Sequence, residues 1–229
     1  MTDESATYNA DRERILSLMA RAVGDEKHET SAYSTLDLLW VLYDRVLRYD
    51  PANPRAEDRD RFLLSKGHGP AAFYAILADK GFFSPDTLDS FERWESILGA
   101  HPDRTLVPGA EVSTGSLGHG LPMAVGMALA LRAKHSDRRV FALMGDGECN
   151  EGTIWESVLQ AGNTHLGNLT GIFANNFSSS LNLGDLAAKL TAFGWHAMTI
   201  DGRDHEQIYA ALTTTDPARP TAVVALIHQ

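Results

Sequence analysis

A chain of 229 residues with 44% hydrophobic and 22% charged residues has ordinary globular composition, which argues against extended disorder. It also holds no apolar run near the roughly 20 residues that a membrane-spanning helix needs. A formal net charge of −10 argues against a reader of nucleic-acid backbones, and the single cysteine, Cys149, rules out an internal disulfide framework. The expectation is one soluble, cytoplasmic domain over 1–229, because the polar, acidic N-terminus lacks a basic-then-apolar targeting signal. In so acidic a chain an anion must be held by local devices: a metal ion, backbone N–H groups or helix N-termini.

From the N-terminus, Ile15, Leu18, Met19 and Ala22 follow helical spacing. Leu38, Leu42 and Val46 do the same behind a capping-box pattern formed by Ser34 and Asp37. The stretch 51–60, rich in Pro, Asn and charge, reads as an exposed connection. Short β-rich runs occur at 61–64, 140–144, 169–173, 197–200 and 221–227. Between them fall helical segments at 70–78, 85–94 with Ser84 as cap, 121–133, and 153–164 with a capping box of Thr153 and Glu156. This alternation predicts an α/β fold: a doubly wound, mainly parallel sheet with helices on both faces. Ligands of such sheets sit beyond the carboxyl ends of the strands where strand order reverses, so the loops after Leu64, Met144 and Phe173 are the places to look.

The chemistry concentrates in two of those loops. The run 140–144 leads into Gly145-Asp146-Gly147-Glu148, then Asn150-Glu151-Gly152 and a helix. The glycines admit a phosphate to the backbone, and Asp146 is a hard oxygen ligand of the kind Mg²⁺ or Ca²⁺ takes. One βαβ unit later the next strand ends in Asn175-Asn176-Phe177-Ser178, which brings both loops to the same sheet edge. Asp146, the side-chain oxygen of Asn176 and a backbone carbonyl near Ser178 can then share one octahedral cation with diphosphate oxygens. Gly-Asp-Gly alone is common, and an Asn pair after a strand is usually a turn; their order and spacing favour the metal site.

Gly145-Asp146-Gly147 followed at this distance by Asn176 resembles the signature of thiamine-diphosphate enzymes. The surrounding GDGECNEGTIWESVLQAG is similar to the N-terminal half of the transketolases, and the likeness runs from about Leu16 to Ile227. The resemblance implies thiamine diphosphate with Mg²⁺ (or Ca²⁺), bound by Gly145, Asp146, Gly147, Glu148 and Asn176. Ser65-Lys-Gly-His68-Gly69 resembles the family's S-x-G-H-G, whose histidine lies against the diphosphate; without that context His68 reads as a loop residue held by a backbone hydrogen bond. The loop Pro108 to Gly120 is similar to P-G-V-E-x-T-T-G-P-L-G-Q-G, where the positions of Gly115 and Leu117 contact the cofactor. His101-Pro102 resembles G-H-P, whose histidine faces the donor ketose. His28, nine residues before Asp37, matches a sugar-contacting histidine by position, with solvent-exposed structure as its other reading. Glu151 matches an acid beside the cofactor that communicates with a partner subunit.

In that family the glutamate acting on the pyrimidine ring belongs to a C-terminal half, and this sequence stops at Gln229 before one begins. The resemblance therefore implies a split enzyme. A C-terminal transketolase-like subunit supplies the pyrimidine-binding site and the activating glutamate, in an α₂β₂ assembly. A two-carbon ketol unit would pass from a sugar phosphate to an aldose or to a specialised acceptor such as an acyl carrier protein. Two departures bear on the acceptor and the cofactor loop: 177–182 replaces the family's I-x-I-D-G, and the family's K-G-x-G stretch is absent. The competing readings are a thiamine-dependent dehydrogenase or ligase of 2-oxo acids and a cofactor-free scaffold.

Overall fold

The computed structural model describes residues 2–24 and 29–228. The N-terminal helices are α1 (Thr2–Met19), α2 (Glu29–Tyr33) and α3 (Leu36–Val41). The last of these ends in a wider turn over Leu42–Val46, where Leu47 N–H donates to Leu42 O (2.8 Å). Then follow β1 (Arg61–Leu64), α4 (Ala71–Asp79), α5 (Gly120–Ala133), β2 (Val140–Gly145) and α6 (Gly152–Asn163). The chain continues through β3 (Leu169–Asn175), α7 (Leu186–Ala192), β4 (His196–Asp201), α8 (His205–Thr213) and β5 (Thr221–Leu226).

All five strands are parallel in the order β1-β2-β3-β5-β4. Period-two alternation divides their side chains between two cores. Phe62, Phe141, Leu143, Ile172 and Val223 pack beneath α1, α3, α4 and α8, whereas Leu63, Ala142, Met144, Phe173 and Val224 pack beneath α5, α6 and α7. A sheet covered on both faces is the doubly wound architecture that the sequence predicts. Between β3 and β4 the chain skips a place with α7 on one face, then returns through α8 on the other to insert β5. Reversing direction with right-handed crossovers requires that change of face. The loops after β1, β2 and β3 thus lie over three consecutive strands, and the reversal of order lies beyond them.

The structure departs from the local helix signals where tertiary partners outbid them. Ser34 does not cap α3; its hydroxyl donates to Ser31 O (2.7 Å) and accepts from Lys66 Nζ (2.7 Å). Asp37 is buried with Arg203 Nη1 (2.7 Å) and His205 Nε2 (3.0 Å). Thr153 donates to Gly118 O (3.0 Å), and α6 opens one residue earlier, after Glu151. The expected helix over 85–94 is a short 3-10 helix, Pro85–Ser90, capped by Ser84 as predicted and followed by left-handed Glu92 (φ 57°) and Glu95 (φ 65°). Helices α7 and α8 have no counterpart among the predicted segments.

Candidate cofactor and metal site

Parallel pairing sets Gly145 beside Ala174, so β2 and β3 end level and deliver Asp146 and Asn176 to neighbouring tips. Asp146 is buried, at 1% exposure. Its Oδ1 accepts from Ser178 Oγ (2.8 Å) and Gly147 N–H (2.9 Å); its Oδ2 accepts from Ser178 N–H (2.6 Å) and Ser179 N–H (3.0 Å). Ser178 Oγ also lies 2.7 Å from Asn176 Oδ1. Asp146, Asn176 and Ser178 are therefore brought together. Ser178 turns its N–H and hydroxyl toward the aspartate. The cause is Phe177, whose left-handed backbone (φ 59°) rotates the following peptides so that two N–H groups point inward.

Glu148, expected against the cofactor, is buried at 1% exposure and ties loops together. Its Oε1 accepts from Ser65 Oγ (2.6 Å) and Gly118 N–H (3.0 Å), and its Oε2 from Gly145 N–H (2.9 Å). Ser65 Oγ in turn accepts from Gly120 N–H (3.1 Å). One carboxylate thus fixes the loop after β1, the loop before α5 and the tip of β2. Burial pushes its pKa above the ordinary glutamate value, against the opposing pull of the Ser65, Gly145 and Gly118 hydrogen bonds. Beside it, Lys66 lays its stem across Gly145, whose imaginary Cβ would stand 3.1 Å from Lys66 Cδ. Burial lowers the Lys66 pKa, and the charges of Asp146 and Glu148 oppose that shift. Burial, with help from the same two carboxylates, pushes the Cys149 thiol up to about 12.

His68 and His101 meet edge to face with ring centroids 4.7 Å apart. Gly115, at φ 140°, leaves no room for a side chain, since a Cβ would fall 2.9 Å from His101 Cδ2. Gly67 approaches it equally closely, with a would-be Cβ 2.7 Å from Gly115 N. His101 Nε2 and Thr114 Oγ1 are buried without a hydrogen-bond partner among the described residues. Leu117 is 38% exposed, and Glu151 is exposed at the start of α6, its Cβ against Gly118. His28 lies outside the described residues. Sequence reasoning missed Lys66 and Ser34 as structural partners: Lys66 stands inside the S-x-G-H-G run, but nothing in the sequence pairs it with Ser34.

These residues fit a cation-bound diphosphate. Among the described residues no three His, Cys, Asp or Glu side chains converge on a point. The strand-tip set is one carboxylate with amide and hydroxyl oxygens, hard donors that leave several positions of an octahedral shell to phosphate and water. The unspent polar atoms at His101 and Thr114, where Gly115 and Gly67 let the loops pack closely, are what a polar ligand there would engage.

The parallel sheet, with its glycine-aspartate turn and a second oxygen-bearing loop on adjacent tips, defines a diphosphate-binding α/β domain. Residues 5–227 match the family model described as "Transketolase, thiamine diphosphate binding domain", and the chain belongs to that family. It is 38% identical over 208 residues to the 6-deoxy-6-sulfo-D-fructose transketolase subunit SqwG of Clostridium sp. (strain MSTE9), covering 88% of this chain and 76% of that protein. It is 48% identical over 212 residues to a protein of Rhodococcoides fascians named Ferredoxin fas2, covering 92% and 70%. Within these 229 residues the one cysteine could not supply the four thiolates of an iron–sulfur cluster. Among solved structures it is similar to transketolase from Leishmania mexicana, with a TM-score of 0.77, 29% identity and 89% of this chain covered. The chain spans 36% of that transketolase's length. Among the described residues no helix is long and apolar enough to cross a membrane.

Proposed function

We propose that this chain is the N-terminal, diphosphate-anchoring subunit of a two-component transketolase-type enzyme. It moves a two-carbon ketol unit from a sugar phosphate to an aldose or to a specialised acceptor such as an acyl carrier protein. The observation that carries the reading is the convergence of Asp146, Asn176 and Ser178 on adjacent strand tips. The subunit wording in the name of the Clostridium relative supports a split arrangement.

Thiamine diphosphate, when bound, supplies a nucleophilic thiazolium carbon and an electron sink for cleaving the bond beside a ketone. The chain's own residues anchor and orient. Asp146, Asn176 and Ser178 hold Mg²⁺ (or Ca²⁺) through oxygen, while Gly145 and Gly147 keep the backbone open to phosphate. Four hydrogen bonds hold the Asp146 carboxylate in place at the strand tip. His68 lies beside the diphosphate, and His101 offers its unspent Nε2 to a hydroxyl of the donor. Leu117 presents apolar surface, and exposed Glu151 faces the partner. His28 belongs to the donor's approach. A C-terminal transketolase-like chain contributes the pyrimidine pocket and the activating glutamate, in an α₂β₂ assembly located in the cytoplasm.

Calorimetry of the chain with its partner, Mg²⁺ and thiamine diphosphate tests this. Replacing Asp146 with Ala is expected to weaken cofactor binding by about 100-fold or more, the loss of a charged ligand in a shielded site. Unaltered affinity would remove the metal site from the reading, and cleavage of a 2-oxo acid instead of a ketose phosphate would replace the reaction.

A further inference from the structure

Away from the strand tips, the connection after the α3 turn and the loop before α5 enclose a second cleft of about 170 Å³. Its charged lining is Arg55, Arg59, Arg104 and Glu111. Glu111 bridges Arg59 Nη1 (2.5 Å) and Arg61 Nε (3.6 Å), so one carboxylate serves two guanidinium groups. Arg55 makes no ion pair or hydrogen bond among the described residues. Arg104 spends its Nε on Glu111 O (3.3 Å) and leaves the fork of its guanidinium to the opening. Arg59 Nε is buried with no hydrogen-bond partner among the described residues. The other nearby acids are committed or exposed: Asp60 is bound by Arg48 (2.9 Å), Asp103 by Thr105 (2.7 Å) and Ser113 (3.2 Å), and Glu57 and Asp58 stand exposed on the connection.

A buried guanidinium N–H without an acceptor is costly unless something supplies one. Arg55, Arg59 and Arg104 line one cleft with Glu111, and their guanidinium N–H groups outnumber the acceptors that this one carboxylate, also shared with Arg61, can offer. Guanidinium forks match the oxygens of a phosphate bidentately. We propose that this cleft binds a phosphate group, free or as the monoester of a small molecule, at a site separate from the one that holds the diphosphate. The loop links the two. Arg104 N–H donates to Ser113 Oγ (3.0 Å) and Thr114 N–H to Pro102 O (3.2 Å), one residue short of Gly115 and the His101 contact. An anion on Arg104 braces the base of the loop that borders the cofactor groove.

The test is an NMR titration of the ¹⁵N-labelled full chain with inorganic phosphate and, in parallel, glycerol phosphate, following arginine Nε–H signals and the amides of 104–111. The expected result is saturable shifts of the Arg59 Nε–H and of those amides, retained in Asp146→Ala. Affinity should fall by about tenfold or more in Arg55→Ala/Arg104→Ala, two exposed positions whose loss leaves the fold intact. Tighter binding of glycerol phosphate assigns the site to monoesters; equal binding assigns it to free phosphate. Shifts that never saturate, that survive the double replacement, or that vanish with Asp146→Ala would overturn the proposal. The Asp146 variant keeps this outcome distinct from failure of the metal site.

Discussion

Replacing Glu148 with Ala should cost the chain a large share of its stability, and the size follows from three hydrogen bonds. Ser65 Oγ, Gly118 N–H and Gly145 N–H all donate to this carboxylate in a region closed to water. An unsatisfied buried donor costs about 1–3 kcal/mol, so the three together set a range of about 3–9 kcal/mol. Two effects reduce it. The Ser65 hydroxyl can rotate to another acceptor, and the variant no longer desolvates a carboxylate whose pKa burial has already raised. A net loss of about 3–6 kcal/mol remains, roughly 6–24 °C in Tm for a chain of this size. The assay is urea unfolding paired with amide hydrogen exchange at Gly118 and Gly145. Both amides should lose protection, and Glu148→Gln, which keeps one acceptor oxygen, should lie between wild type and Ala. A loss under about 1 kcal/mol, or unchanged protection at both glycines, would refute the clamp.

Other consequences are open to direct measurement. Burial raises the pKa of Asp37 while its bonds to His205 and Arg203 lower it by more, so its folded pKa lies below the ordinary 3.8. That sign means the contribution is present above pH 3.8 and is lost as pH falls through the folded value. Asp37→Asn should therefore cost about 1–3 kcal/mol near pH 7, with the difference from wild type shrinking as the pH falls below 3.8. Chemical denaturation at both pH values measures it, and a pH-independent difference would contradict the assignment. Cys149, with its thiol pushed up to about 12, should resist disulfide reagents at pH 8 in the folded chain and react only as fast as the chain opens. Rapid labelling under native conditions would show that the thiol is not enclosed.

The sheet was legible because its strands are buried on both faces and read as short apolar runs separated by helical spacing. Val140 to Met144 and Leu169 to Phe173 announce themselves in this way, and so do the tips that follow them. Helix starts were less legible. The Ser34 and Thr153 patterns have the chemistry of caps, yet Lys66 and Gly118 claim those hydroxyls from 32 and 35 residues away. Local propensity carries no information about such distant partners. The same limit applied at the site. Asp146 and Asn176 were found by spacing, but the inward role of Glu148 depends on two loops distant in sequence. The direction of the 178–179 peptides depends on a left-handed phenylalanine, which no residue preference predicts.

The 178–179 turn has a consequence for how the chain loads. Two amide hydrogens, each with partial positive charge, rest on Asp146 Oδ2 where a dication would draw its electrons. A cation held there as proposed would compete with those amide hydrogens for the same oxygen. The proposed cation would then bind more weakly than the bare ligand set gives, by the strength of any contact surrendered. Because Ser178 is itself a proposed ligand, sequence changes at Phe177 that release the turn should alter cation uptake together with the 178–179 contacts.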